Sequence, residues 1–150
     1  MQIDDLLQKR KIYPHRATQE EVDRVLQLAD RDLRMARYTM AEDWDWAFSI
    51  AYNAVLQASR AFMYSKGFRP ASSQGHKNTF AFMRAEFGSE FTSLVGYFDR
   101  MRTKRNQVIY DVAGLITESE ARSILKNAVE YVDAVKVRLV GSVEHQGERE

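Results

Sequence analysis

Four residues at the end of a long helical run carry the most suggestive chemistry in this chain: Arg105, Asn106, Tyr110 and Asp111. Arginine stays charged at any ordinary pH, and its planar fork matches a phosphate or a carboxylate. Asn106 and Tyr110 add neutral donors and acceptors. Asp111 adds a carboxylate, suited to act as a base or as a helix-end acceptor. Arg100, Arg102 and Lys104 lie just upstream, so that with Arg105 four positive charges fall within six residues. Such a run is commonly a solvated face, and its functional meaning is a patch for a polyanion. The position of Arg105 sets it apart. Phe91, Leu94, Val95, Phe98, Met101, Val108 and Val112 recur at spacings of three and four, which is one face of a helix. Arg105 lies on that stripe, where a guanidinium either snorkels to solvent or marks a functional or interface site. On a regular helix Arg105 and Tyr110 point about 140° apart, while Asn106 and Tyr110 share a face. Bringing all of them together requires the arginine's length, a distorted turn or a second copy of the chain.

The elements that must position these residues read as helices. Thr18 to Glu21 has the form of a capping box, and Val22, Val25, Leu26, Ala29, Leu33, Ala36 and Met40 follow at helical spacing, which predicts a helix from Gln19 to about Tyr38. Asp43 caps a second helix that runs to about Lys66, with Gly67 just past its end and Pro70 preventing resumption. Ala47, Ala51, Ala54, Ala58 and Ala61 give this helix a stripe of small side chains that lets a neighbour approach closely, and Trp44, Phe48, Tyr52, Val55 and Phe62 flank it. A loop from Arg69 to Gln74 leads into a shorter helix with Phe80, Met83 and Phe87, closed by Gly88. The helix from Ser89 to Asp111 follows. A second capping box, Thr117 to Glu120, opens a last helix expected to end at Gly141. No run of alternating β-branched residues competes. The fold expected is all-α, an up-and-down four-helix bundle with one extra short helix. Residues 1–17 form an N-terminal arm, read as a docking arm or a frayed end, 18–143 the bundle, and 144–150 a polar tail.

Composition narrows the class. The 150 residues suit one domain with a real core, 45% are hydrophobic, and the formal net charge is only +1. Bulk charge therefore gives no argument for nucleic acid, and any such signal has to be local. Without cysteine there is no disulfide framework, thiolate metal site or cysteine nucleophile. His76 has no partner at metal-ligand spacing, so neither a metal nor a cofactor is expected, and no glycine loop is suited to cradle a nucleoside triphosphate. The first residues lack a secretory pattern and no stretch reaches the apolar length of a membrane span, so a cytoplasmic location without membrane contact is expected.

Several segments, in order, resemble the HEPN family. Asp32-Leu33 through Ala36, Asp45-Trp46-Ala47 and Ala51-Tyr52-Asn53-Ala54 resemble its first helical hairpin. Ala61 through Lys66-Gly67-Phe68-Arg69-Pro70 resembles the following helix end and loop, and Gly75-His76 the start of its third helix. Arg105-Asn106 through Tyr110-Asp111 falls where the family keeps its signature, and the resemblance spans roughly residues 28–139. It implies a four-helix domain that usually dimerises. Many members are metal-independent endoribonucleases of toxin–antitoxin, CRISPR and phage-defence systems, whose arginine is followed, four to six residues later, by a histidine, two copies meeting in a dimer cleft. Arg105 and Asn106 match that pattern, and Tyr110 stands where the histidine belongs. In one toxin subfamily a tyrosine two residues after that histidine receives a nucleotide; Val112 stands there, so that modification is not carried over.

Metal-free RNA cleavage needs a 2′-hydroxyl in line, a group to take its proton and positive charge on the phosphate. Arg105 suits the last task, with Arg100, Arg102 and Lys104 as further RNA-phosphate contacts. Tyrosine, with a reference pKa of about 10, is a poor base at neutral pH, although it can hydrogen-bond a phosphate or stack on a base. The expectation is thus a HEPN-domain protein of a toxin–antitoxin or phage-defence type system. It would bind RNA, a nucleotide or a partner protein through a degenerate Arg-Asn-x3-Tyr site at a homodimer cleft. The alternatives are an active metal-independent endoribonuclease toxin and a subunit partnered with a minimal nucleotidyltransferase or an antitoxin. A structural role remains open as well, with Arg105, Asn106 and Tyr110 pinning the helix at a dimer interface.

Overall fold

The computed structural model of the protein describes residues 2–110 and 113–147. Along the chain it forms α1 (Ile3–Gln8), β1 (Ile12–Pro14), α2 (Gln19–Thr39), α3 (Trp44–Ser65), β2 (Phe68–Pro70), α4 (Gly75–Phe87), α5 (Ser89–Tyr110) and α6 (Glu118–Gly147). The fold is all-α around four long helices, as the periodicity predicts. α3 is its spine, in contact with α2, α4, α5 and α6. The cause lies in its alanine stripe: Ala47, Ala51, Ala54, Ala58 and Ala61 are fully buried, so neighbouring backbones come close on several sides. Phe48, Tyr52 and Phe62 fill the space between, and Phe80, Phe82, Phe98 and Tyr131 from α4, α5 and α6 close over them.

Helix ends follow local rules. The Thr18 hydroxyl accepts from the Glu21 amide at 3.1 Å, the Asp43 carboxylate accepts from the Trp46 amide at 2.9 Å, and Gly67 takes a positive φ of 89° past the end of α3. Thr117 and Glu120 complete their capping box in both directions. The first box closes only by half, because Glu21 turns its carboxylate to His15 at 3.1 Å. Asp45, in the first turn of α3, accepts from the amides of Gly114 at 2.6 Å and Ile116 at 3.0 Å, which ties the segment before α6 to the start of α3.

Four expectations need correction. The chain contains strands: β1 pairs antiparallel with β2, Ile12 opposite Pro70, and flanking bonds from Ala71 to Lys11 and from His15 to Gly67 extend the ladder. Three-residue strands ending in proline are too short to show alternation. Residues 3–14 are folded rather than frayed, since Leu6 and Ile12 are fully buried in the main core. α6 does not stop at Gly141 but runs on to Gly147. A glycine inside a helix costs only about 1 kcal/mol, and the thirty-residue helix absorbs it. Trp44, grouped by spacing with the core residues of α3, is 43% exposed, because it sits at the first position of the helix, beyond the packed layers.

Candidate functional site

α5 lies with Phe91, Val95 and Phe98 buried and Leu94, Met101 and Val108 packed at the margin of the core. Arg105 continues this inward face. Its guanidinium carbon stands 5.6 Å from the centre of the Tyr52 ring, and Nη2 reaches Asn53 Oδ1 at 3.5 Å, the outer limit of a hydrogen bond. Nε is buried with no hydrogen-bond partner among the described residues. Nor does any carboxylate described here pair with Arg105. The charge is thus held by an aromatic face and one amide, with no counter-ion among the described residues.

His76 completes the group. Its Nδ1 lies 3.3 Å from the Tyr52 hydroxyl, and the two rings are tilted with centroids 5.8 Å apart. Burial lowers the His76 pKa below its ordinary 6.5, and the positive charges of Arg105 and Arg102 push the same way. The imidazole is therefore neutral at neutral pH, with one nitrogen engaged by Tyr52 and the other available as donor or acceptor according to tautomer. Burial raises the Tyr52 pKa far more than the nearby arginines lower it, so its phenol stays protonated. Three elements build the cluster: α3 supplies Tyr52 and Asn53 as neighbours, α4 offers His76 at its second residue, and α5 brings Arg105 across.

The other predicted residues are placed differently. Asn106 is exposed and Tyr110 is 76% exposed, so neither joins Arg105 within one chain; Asp111 lies outside the described residues. Of the basic run, Arg102 donates to Asp99 at 3.2 Å, and Asp99 also takes Arg84 at 3.1 Å. Lys104 is engaged by Glu120, while Arg100 is exposed. Among the described residues the run thus splits into ion pairs, one exposed guanidinium and Arg105, which turns inward without an acid. These partners are present in the sequence, Tyr52 and Asn53 on the predicted second helix and His76 as a lone histidine near the start of the next. Only their convergence on Arg105, which depends on how α4 and α5 cross α3, was invisible. Among the described residues no group of three His, Cys, Asp or Glu side chains could hold a metal ion, and no helix is long and apolar enough to cross a membrane.

Four long helices, with Arg105 turned inward near the end of the third, define the class as an all-α helical bundle domain. The family model for the HEPN domain matches residues 22–138, most of the chain, and the protein belongs to the HEPN family. That membership places it in a nucleotide- or RNA-related, or toxin and defence, type of role in general, in a family whose domains commonly dimerise and bind RNA. No curated protein matches the chain.

Proposed function

We propose that this protein is an RNA-binding HEPN domain of a toxin–antitoxin or phage-defence type system, in which Arg105 holds a backbone phosphate at the cleft of a homodimer. One observation carries the reading: Arg105 is drawn onto the core side of α5 with Nε unpartnered and without a carboxylate among the described residues. A buried donor left unsatisfied costs about 1–3 kcal/mol, and a phosphate oxygen would supply the missing acceptor. Exposed Ile109 and Tyr110, on the last turn of the same helix, give a second copy something apolar to cover, and the partner's tyrosine could then approach Arg105.

The test is binding of a single-stranded RNA to wild type and to Arg105→Met in EDTA, by fluorescence anisotropy. The expected result is at least a tenfold loss in the variant; unchanged affinity with both proteins folded would end the reading. In the same buffer Tyr110→Asp is expected to shift the dimer to monomer in light scattering, and a wild type monomeric at all concentrations would remove the cleft.

A second reading is favoured by His76. A neutral histidine beside Arg105 supplies the base that Tyr110 lacks, so metal-independent cleavage of RNA by Arg105 and His76 is the alternative. Cleavage in EDTA that is lost in His76→Ala and kept in Tyr110→Phe would support it over simple binding.

A further inference from the structure

A cavity of about 390 Å³ opens between α3 and α4 and shares Asn53 and His76 with the cluster around Arg105. Asn53, Leu56, Gln57 and Arg60 on α3, Pro70 on β2, and Gly75, His76 and Thr79 on α4 line it. Asn53, Gln57 and Arg60 follow at spacings of four and three, so they share one face of α3. No carboxylate is among the lining residues.

The hydrogen bonds already made decide what this cavity can take. A guanidinium only donates, so an amide facing one must turn its oxygen to it. Arg60 Nη1 donates to Gln57 Oε1 at 3.0 Å, and Arg105 Nη2 reaches Asn53 Oδ1. Each amide oxygen thereby faces a guanidinium, which leaves the N–H groups of both amides to offer. Arg60 itself is held in place by Nη2 donating to the Tyr64 hydroxyl at 2.9 Å. Among the described residues it has no carboxylate partner. Arg60, without a counter-ion among the described residues, and the amide N–H groups of Gln57 and Asn53 thus make a wall of donors, and the ligand such a wall selects is an anion rich in acceptor oxygens. The volume lies at the small end of ligand pockets, enough for a phosphate with part of its nucleoside.

We propose that this cavity is a binding site for a phosphomonoester, the terminal phosphate of an RNA strand or that of a free mononucleotide. The inference rests on the reading of Arg105 as an RNA-phosphate contact for its first source and is independent of it for the second. Gln57 and Asn53 donate to the phosphate oxygens, Arg60 supplies charge, and a strand whose end is seated here would pass its next phosphates toward Arg105.

The experiment is a calorimetric and anisotropy titration of the full chain with four probes: AMP, adenosine, and one short RNA carrying either a 5′-phosphate or a 5′-hydroxyl. Two variants accompany it. Gln57→Glu replaces donors by a carboxylate of the same shape, and Gln57→Met removes the donors without adding charge. The expected result is at least tenfold tighter binding of AMP than adenosine, with both variants abolishing that preference. A matching preference for the 5′-phosphorylated RNA identifies the strand end as the source, and its absence beside a preference for AMP identifies the free nucleotide. Equal affinity for AMP and adenosine, or a preference untouched by both variants, would overturn the proposal. The two readings separate cleanly: Arg105-dependent binding of the 5′-hydroxyl RNA without any phosphate preference leaves the RNA reading standing and removes the pocket. A Gln57-dependent preference for AMP without RNA binding does the reverse.

Discussion

Arg105 sits where a leucine would serve the fold better. Its half-buried guanidinium meets a ring and an amide instead of an acid, and Nε goes unsatisfied. A residue kept for structure should cost stability when replaced, whereas one kept for a ligand should not. Arg105→Met, which retains the length and apolar stem, is expected to leave the unfolding free energy within about 1 kcal/mol of wild type or to raise it. Thermal and urea denaturation would check this, and a loss of several kcal/mol would mean that Arg105 pins the helix. His76 gives the residue scale its pH dependence. Its native pKa is depressed below 6.5 by burial first and then by Arg105 and Arg102, so the folded state resists its protonation. The stability it contributes is therefore fully present above the unfolded value and is lost as pH falls through the lower native one. His76→Asn should flatten that part of the stability curve below about pH 6.5, measured by urea unfolding against pH. An unchanged slope would place the titration elsewhere.

Among the elements, the tie between α3 and the segment before α6 is the most exposed to a single change. One carboxylate, Asp45, accepts two backbone amides across this junction. Charge-assisted bonds of this kind contribute about 1.5–3 kcal/mol when one is lost. Asp45→Ala should lower the melting temperature by several degrees and speed hydrogen exchange at Gly114 and Ile116; exchange unchanged at both would mean that the loop is held by other contacts. The long helices and their caps were legible because each is a local statement: Thr18, Asp43 and Thr117 announce themselves within four residues. The alanine stripe was legible as an approach surface for the same reason. β1 and β2 were not, since they exist only through each other, and neither carries a pattern of its own. Arg105 was legible as an anomaly of its stripe, but its partners came from other helices. Tyr110 is legible through the position it holds in the family's signature, whereas the approach of His76 to Tyr52 depends on how α4 packs on α3.

For the whole molecule, the N-terminal segment is a working part of the core and of the site's surroundings. Leu6 and Ile12 are fully buried, β1 holds β2, and β2 leads through Ala71 to the loop from which α4 and His76 emerge. Ile12→Ala is expected to cost about 2–4 kcal/mol, from lost burial and the cavity left behind. Because the lost contacts anchor β2, the same variant should loosen amide protection around residues 68–71 more than in α6. Uniform loosening would show that the molecule opens only as a unit. The match to the HEPN family begins at residue 22, so this segment lies outside the matched stretch.

The pairing of Ile12 with Pro70 also sets a clock. Translation delivers the segment first, at roughly 5–20 residues per second, and its partner strand leaves the ribosome only after α2 and α3 have been made. Until then Leu6 and Ile12 have no core to enter. Closing the two strands therefore waits for that moment in the making of each new chain, and Pro70, which Ile12 then faces, is also part of the cavity wall.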